Sequence, residues 1–188
     1  MSKPEVQPAE AALRFLGMFG ETQVTMRHVF DRYLEFLSPA VGAFISKRLG
    51  RMSDSERFDA LLSLAGDHGE RERARAVVEV SRELKKLRDI LGHATVIGSD
   101  RDVVFALVSM ESHEFSVDQL LRAYGRAQWV VESTLYIGHA AGVMAHDGGP
   151  YNRFSGTTIL EDPPSLTPPS GPLPDPVVLL ERVDEGDL

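Results

Sequence analysis

Apolar residues recur every three or four positions over much of this chain, which is the period of a helix with one buried side. The pattern predicts helices over residues 9–19 and 24–37, separated by a break near Gly20, and a short apolar piece over 41–49. Two more helices follow over 53–64 and 70–91, and a last one begins at about residue 117. The chain is therefore predicted to be mostly α.

Residues near the predicted helix ends agree with this pattern. Ser53 and Glu56 have the spacing of a capping box, in which each side chain bonds the backbone N–H of the other residue. Gly92 suits the left-handed position just after a helix, where glycine carries no steric penalty. Residues 94–98 and 103–110 are rich in β-branched side chains with a turn between them, which favours a hairpin. Ser116 can then cap the last helix.

The character of the sequence changes after about Gly148. Residues 161–176 hold seven prolines among sixteen residues, without periodicity, which is typical of disordered or polyproline-type segments. The sequence thus predicts an antiparallel helical bundle over residues 9–147, with a small β-hairpin before the last helix. A disordered, Pro-rich and acidic C-terminal tail over 148–188 follows, and such a tail can serve as the ligand of a protein partner.

The net charge of −8 hides an uneven distribution. Seven acidic residues and one arginine lie in residues 161–188, so the remaining 160 residues carry a net charge of only −2. Within them, residues 71–88 hold seven basic and three acidic residues. A local excess of basic side chains along one helix is a surface that attracts phosphate groups.

The rest of the composition narrows the compartment and the chemistry. The chain has no cysteine, which excludes disulfides and cysteine-based sites. No window of about 18 residues is apolar and uncharged, and the first residues do not resemble a signal peptide, so we expect a cytoplasmic protein without membrane contact. Phosphate-binding loops and nucleophile elbows do not occur. We expect no cofactor and no metal: His139 and His146 share a helix face, but zinc needs three or four ligands.

The predicted helix over 70–91 carries an unexpected residue on its inner side. The apolar stripe steps by three and four residues: Val77, Val80, Leu84, Leu87 and Leu91. Arg88 falls on the same broad face, and a buried guanidinium needs an ionic or ligand partner. If Gly92 turns the chain, His93 can return towards Arg88, and this pair would suit a phosphodiester because arginine binds phosphate and histidine moves protons near neutral pH. The simpler alternative is an ion pair of Arg88 with Asp89 or another acid, beside an ordinary turn histidine.

The segment LRDILGHA resembles the R-polar-x-x-x-H signature of the HEPN superfamily, helical domains of prokaryotic defence, toxin–antitoxin and RNA-processing systems. Arg88 and His93 match the two signature positions. Asp89 matches the polar position after the arginine, which is more often Asn in that family. The likeness covers roughly residues 9–146, including the placement of the motif at the end of a long helix.

The resemblance implies a function and a mechanism. It suggests a bacterial RNA-binding protein and metal-independent endoribonuclease that acts as a homodimer, in which the ribose 2′-hydroxyl attacks the adjacent phosphate. Arg88 would then hold the phosphate, His93 would act as acid and base, and Asp89 would orient the pair. The basic residues of the same helix would track the RNA backbone: Arg75, Arg82, Lys85 and Lys86. The alternative is a non-catalytic helical dimerisation or interaction module, in which the motif residues are structural.

Overall fold

The computed structural model describes residues 6–37, 52–94, 96–100, 103–109, 111–142, 163–169, 173 and 177–179. Most of them lie in four helices: α1 (Pro8–Leu37), α2 (Asp54–Asp67), α3 (Arg71–His93) and α4 (Val117–Ala140). Four strands form one sheet: β1 (Val96–Asp100), β2 (Val103–Val108), β3 (Glu111–Ser116) and β4 (Val177–Leu179). The predicted fold class, mostly α with an antiparallel hairpin before the last helix, is confirmed. The apolar piece over 41–49 lies outside the described residues.

α1 is one continuous helix where the sequence suggested two. The predicted break near Gly20 is wrong. A glycine inside a helix costs about 1 kcal/mol relative to alanine, whereas full burial of a large apolar side chain contributes about 1.5–3 kcal/mol. Phe15 and Phe19 before the glycine and Met26 after it are all buried in the core. Packing on both sides of Gly20 therefore keeps the helix intact.

The sequence predicted the start of α2 correctly and the end of α3 incorrectly. Ser53 caps α2 as predicted: its Oγ accepts from the Glu56 backbone N–H, and its own backbone N–H donates to the Glu56 carboxylate at 2.6 Å. α3 continues through Gly92 to His93, and its C-cap is Ala94, with ψ 129°. The prediction that Gly92 ends α3 in a left-handed conformation is wrong. Glycine permits that conformation without requiring it, and the burial of Leu91 holds the last turn in the helix.

α4 is the central helix of the bundle. It packs against both α1 and α3, and Leu120 and Ile137 are among its fully buried side chains. The spacing of the apolar residues over 120–135 predicts a narrower inner stripe that would include Gln128. Gln128 is instead exposed, and its side chain donates to Glu132 at 3.1 Å. Neighbours on two sides widen and rotate the buried face, which a one-sided amphipathic pattern does not anticipate.

The sheet extends beyond the predicted hairpin. β1 and β2 form that hairpin, β3 pairs with β2, and β4 from the C-terminal segment pairs with β3, all antiparallel. β3 leads directly into α4, where Ser116 Oγ accepts from Gln119 N at 3.1 Å as the predicted cap. Two parts of the proline-rich C-terminal segment contact the domain: side-chain donors bind residues 163–169, and β3 pairs with residues 177–179.

Candidate nucleic-acid interface

α3 separates its apolar and basic side chains onto opposite sides. The predicted inner residues are confirmed as buried, with exposures between 0 and 3%: Val77, Val80, Leu84, Leu87 and Leu91. Successive residues of an α-helix are about 100° apart, so Arg75, Arg82, Lys86 and His93 fall within an arc of about 40° on the other side. All four are exposed. We name these four residues the basic face.

The basic face presents charges that stay available to a ligand. In the described part of the chain, Arg75, Arg82 and Lys86 form no ion pair with an acidic side chain. The Arg82 guanidinium lies over the Phe58 ring at 5.7 Å, which orients it without neutralising it. Glu79 is exposed on the same side and lowers the local charge by one. The face extends about 27 Å from Arg75 to His93 at 1.5 Å per residue.

Lys85, the remaining predicted RNA-binding residue, lies off the basic face. Its Nζ contacts Asp54 Oδ2 at the start of α2 at 2.5 Å, with 40% of the lysine side chain exposed. An ion pair with this much solvent access contributes at most about 1 kcal/mol. Lys85 therefore links α2 to α3 and is less available to phosphate than the three cations of the basic face.

Arg88 and Asp89 form an ion pair at the C-terminal end of α3. Arg88 Nη1 lies 3.1 Å from Asp89 Oδ1, with 34% and 38% of the two side chains exposed. The Arg88 guanidinium also lies 5.1 Å from the centroid of the Phe19 ring on α1. Its Nε is buried and has no hydrogen-bond partner among the described residues. The guanidinium is thus partly neutralised, and it keeps donors that an anion could use.

His93 does not converge on Arg88. Because α3 stays helical through Gly92, five residues of helix separate the two side chains by about 140° around the axis. Arg88 lies against α1, while His93 is exposed on the basic face. The prediction that His93 turns back towards Arg88 is therefore wrong within one chain. The structure brings Arg88 and Asp89 together, and it places His93 in line with Arg75, Arg82 and Lys86.

Two buried arginines were not anticipated from the sequence. Arg73 and Arg126 are 4% and 2% exposed, and they pair with Glu70 at 2.9 Å and Glu83 at 2.5 Å. A signal existed for Arg73, because it precedes Val77 by the same four-residue step that runs along the inner stripe of α3. Arg126 had no comparable signal, since the sequence pattern rotates the buried face of α4 away from it.

Comparison of this chain with protein-family models, with the curated proteins and with the solved structures finds no match. Among the residues that the structure describes, no helix is long and apolar enough to cross a membrane. The same residues hold no group of three or more His, Asp or Glu side chains that could bind a metal ion. His146, one of the two histidines considered above, lies outside them.

Proposed function

We propose that this chain is a HEPN-like RNA-binding protein that holds the RNA backbone along the basic face of α3. The observation that carries the proposal is the alignment of Arg75, Arg82 and Lys86 with His93 on one exposed side of a continuous helix. Cations that neutralise phosphates release condensed counterions, which supplies most of the free energy of sequence-independent binding. The acidic net charge of the chain opposes this only weakly, because charges beyond about 8 Å are largely screened at physiological ionic strength.

The proposal includes metal-independent cleavage of the bound RNA. The ribose 2′-oxygen forms a bond to the adjacent phosphorus, the bond from phosphorus to the 5′-oxygen breaks, and a 2′,3′-cyclic phosphate and a 5′-hydroxyl result. His93 accepts the proton of the 2′-hydroxyl and, once protonated, returns it to the leaving 5′-oxygen. Arg88 binds the phosphoryl oxygens, whose negative charge grows in the transition state.

This reaction requires a second copy of the chain. Arg88 and His93 of one protomer lie about 140° apart around α3, so a single phosphate cannot contact both side chains of one copy at hydrogen-bonding distance. The proposed site therefore combines Arg88 of one protomer with His93 of another. The proposed cleavage therefore requires a homodimer. RNA binding along the basic face does not, because its residues all lie on one helix.

The binding proposal is tested by removing the charges of the basic face. We expect the triple variant Arg75→Gln, Arg82→Gln, Lys86→Gln to bind a fluorescein-labelled single-stranded RNA at least about tenfold more weakly in 100 mM salt. Its plot of log affinity against log salt should be shallower by about 2, since each phosphate contact with a single strand contributes about 0.7. Fluorescence anisotropy at four salt concentrations measures both quantities.

A control variant removes two exposed positive charges outside the basic face. Arg14 on α1 and Arg122 on α4 are exposed, and within the described part of the chain they pair with acids of their own helices, Glu10 at 2.6 Å and Asp118 at 2.7 Å. The variant Arg14→Gln, Arg122→Gln should bind RNA within about twofold of the unsubstituted chain, because surface cations outside the contact act only through the screened general field. Equal weakening by both variants, or no RNA binding by any of the proteins, would remove the proposal.

A second candidate function, a helical homodimerisation module, is favoured by the exposed side of α1. Leu13 and Val24 are 69% and 58% exposed. Among the described residues, nothing beyond the backbone of α1 itself and the neighbouring residues would lie within 4 Å of a Cβ at Gly17 or Gly20. Six of the exposed positions form a series that is symmetric about the peptide bond between Met18 and Phe19: Glu10, Leu13, Gly17, Gly20, Val24 and Arg27. In an antiparallel pair of α1 helices, each member faces its counterpart, so Leu13 meets Val24, glycine meets glycine and Glu10 meets Arg27. Such self-complementarity is what a two-fold interface requires.

This second candidate is tested by filling the space above the glycines. The variant Gly17→Gln, Gly20→Gln should shift the chain from dimer to monomer in size-exclusion chromatography with light scattering, because the helices can no longer approach closely. A Cβ at Gly125 on α4 would likewise meet nothing within 4 Å among the described residues outside its own helix turn, so Gly125→Gln is a control that should leave the mass unchanged. A monomeric unsubstituted chain, or a dimer that survives both glutamines, would rule this interface out.

A further inference from the structure

Residues 163–169 of the C-terminal segment lie along α3 and α4, held by side-chain donors of those two helices. Three backbone carbonyls of the segment accept hydrogen bonds, Pro164 O from Arg73 Nη1 at 2.5 Å, Ser165 O from Trp129 Nε1 at 2.8 Å and Pro169 O from Arg126 Nη1 at 3.3 Å. We name the surface formed by Arg73, Trp129 and Arg126 the donor groove. It makes these contacts with the backbone of the segment.

The donor groove and its occupant are chemically complementary. Arg and Trp side chains only donate hydrogen bonds, and a proline residue has a carbonyl to accept but no N–H to give. Four of the seven residues over 163–169 are prolines. Their fixed φ also limits the conformations that the segment loses on binding, which favours extended proline-rich peptides as ligands. A segment with free N–H groups would find no acceptor in these three side chains.

Independent contacts hold the donors in position. Arg73 Nε donates to Glu70 at 2.9 Å, and its guanidinium lies 4.6 Å from the centroid of the Tyr136 ring. Arg126 Nη2 contacts Glu83 at 2.5 Å. The carboxylates accept hydrogen bonds from some N–H groups of each guanidinium, and the backbone carbonyls of residues 163–169 accept from others. If the segment left, these donors would be free to bind another ligand or water.

We propose that the donor groove is a binding site for extended, proline-rich peptides, and that residues 163–169 are its tethered ligand. Leu166, in the middle of the segment, is 51% exposed, so that side chain contributes little to recognition. Twenty residues of sequence join Gly142 to Pro163, so the segment and the donor groove belong to one chain, and binding of the segment is intramolecular. The site lies about 160° around α3 from the basic face, judged by Arg73 and Arg75. It is therefore separate from the proposed RNA-binding surface.

Trp129 provides a direct readout, because it is the only tryptophan of the chain and its indole N–H bonds the segment. In the full chain, replacing Pro163, Pro164, Pro168 and Pro169 with glycine keeps every carbonyl and removes the conformational restriction. We expect this variant to show red-shifted Trp129 emission and about twofold stronger acrylamide quenching. A synthetic peptide of residues 161–176 should restore the original emission, and the same peptide with the four glycines should bind at least about tenfold more weakly.

Substitutions in the groove separate recognition from folding. In the glycine variant, Arg73→Lys should weaken the peptide at least about tenfold, since lysine cannot serve Glu70 and a carbonyl with one planar fork. Arg75→Lys, on the opposite side of α3, should leave its affinity unchanged. Emission that the proline-rich peptide does not restore, or that both peptides restore equally, would overturn the proposal.

A cleavable version covers the case in which the glycine variant does not fold by circular dichroism. A protease site placed between residues 150 and 155 of the otherwise unsubstituted chain is cut after folding. We then expect the severed segment to exchange with a fluorescein-labelled peptide of residues 161–176, with Trp129 emission changing on dilution and recovering on addition of peptide. A severed segment that never exchanges would identify a permanent structural strap, and the proposal would fail.

Discussion

At the scale of single residues, the charge of Asp89 influences how strongly Arg88 can bind a phosphate. The carboxylate lies 3.1 Å from Arg88 Nη1 at a position about one third exposed, so the pair is screened by water and stabilises the fold by less than about 1 kcal/mol. Its charge nevertheless stands beside the proposed phosphate site. The Asp89 carboxylate therefore opposes the binding of a phosphate to Arg88, because the two negative charges repel each other across a short distance.

We therefore expect Asp89→Asn to raise RNA affinity severalfold while changing the free energy of unfolding by less than about 1 kcal/mol. Anisotropy titration and urea unfolding measure the two effects. Asp118→Asn removes the more exposed partner of an arginine on α4, with 69% of the aspartate side chain exposed, and it should leave RNA affinity unchanged. A loss of affinity in Asp89→Asn would show instead that the carboxylate orients Arg88 for phosphate, and our electrostatic argument would be wrong.

At the scale of secondary structure, three glycines show how backbone conformation and packing determine where a helix continues and where it ends. Gly20 and Gly92 lie inside α1 and α3, where a Cβ would meet nothing within 4 Å or only Arg88 Cδ at 3.7 Å. Gly69, between α2 and α3, has φ +81°. We expect alanine at Gly20 or Gly92 to stabilise the protein by about 0.5–1 kcal/mol, and Gly69→Ala to destabilise it by about 1 kcal/mol or more. Urea unfolding measures each change. Destabilisation by Gly20→Ala would indicate that the helix breaks near Gly20 after all.

These glycines also indicate how far the sequence could specify the elements. The inner stripe of α3 and the capping box at Ser53 follow from local periodicity and spacing, and both were predictable. The continuity of α1 and the ending of α3 were not, because each depends on burial contributed by other elements. For the same reason, the broad buried face of α4 could not be predicted from its sequence pattern alone. Glycine marks where a helix is allowed to end, and tertiary packing decides whether it does.

At the scale of the whole molecule, α3 separates two surfaces of different chemistry. Its basic face is exposed, and Arg73 on the opposite side belongs to the donor groove that holds residues 163–169. Composition predicted that the tail differs from the domain, but contacts over 91 residues of sequence, such as Arg73 with Pro164, leave no local signal. The arrangement of the motif residues was likewise beyond the sequence. Arg88 and His93 lie on different sides of α3 because the helix continues through Gly92.

That separation leads to a prediction about mixtures of two inactive proteins. If RNA is cleaved at a site built from Arg88 of one protomer and His93 of another, Arg88→Ala and His93→Ala should each abolish cleavage. Mixing and re-equilibrating the two variants should then restore about a quarter of the activity, since half of the dimers are mixed and each of these has one intact site of two. Cleavage of a labelled RNA in the presence of EDTA measures the effect, because the proposed chemistry uses no metal.

The mixture distinguishes the mechanisms that remain. Restored activity requires that the two residues act from different chains, whereas residues acting within one chain gain nothing from mixing. The double variant Arg88→Ala, His93→Ala mixed with either single variant is the control, and it should stay inactive because no site contains both groups. Cleavage by His93→Ala alone, or cleavage that EDTA abolishes, would contradict the proposed reaction while leaving RNA binding along the basic face to stand on its own test.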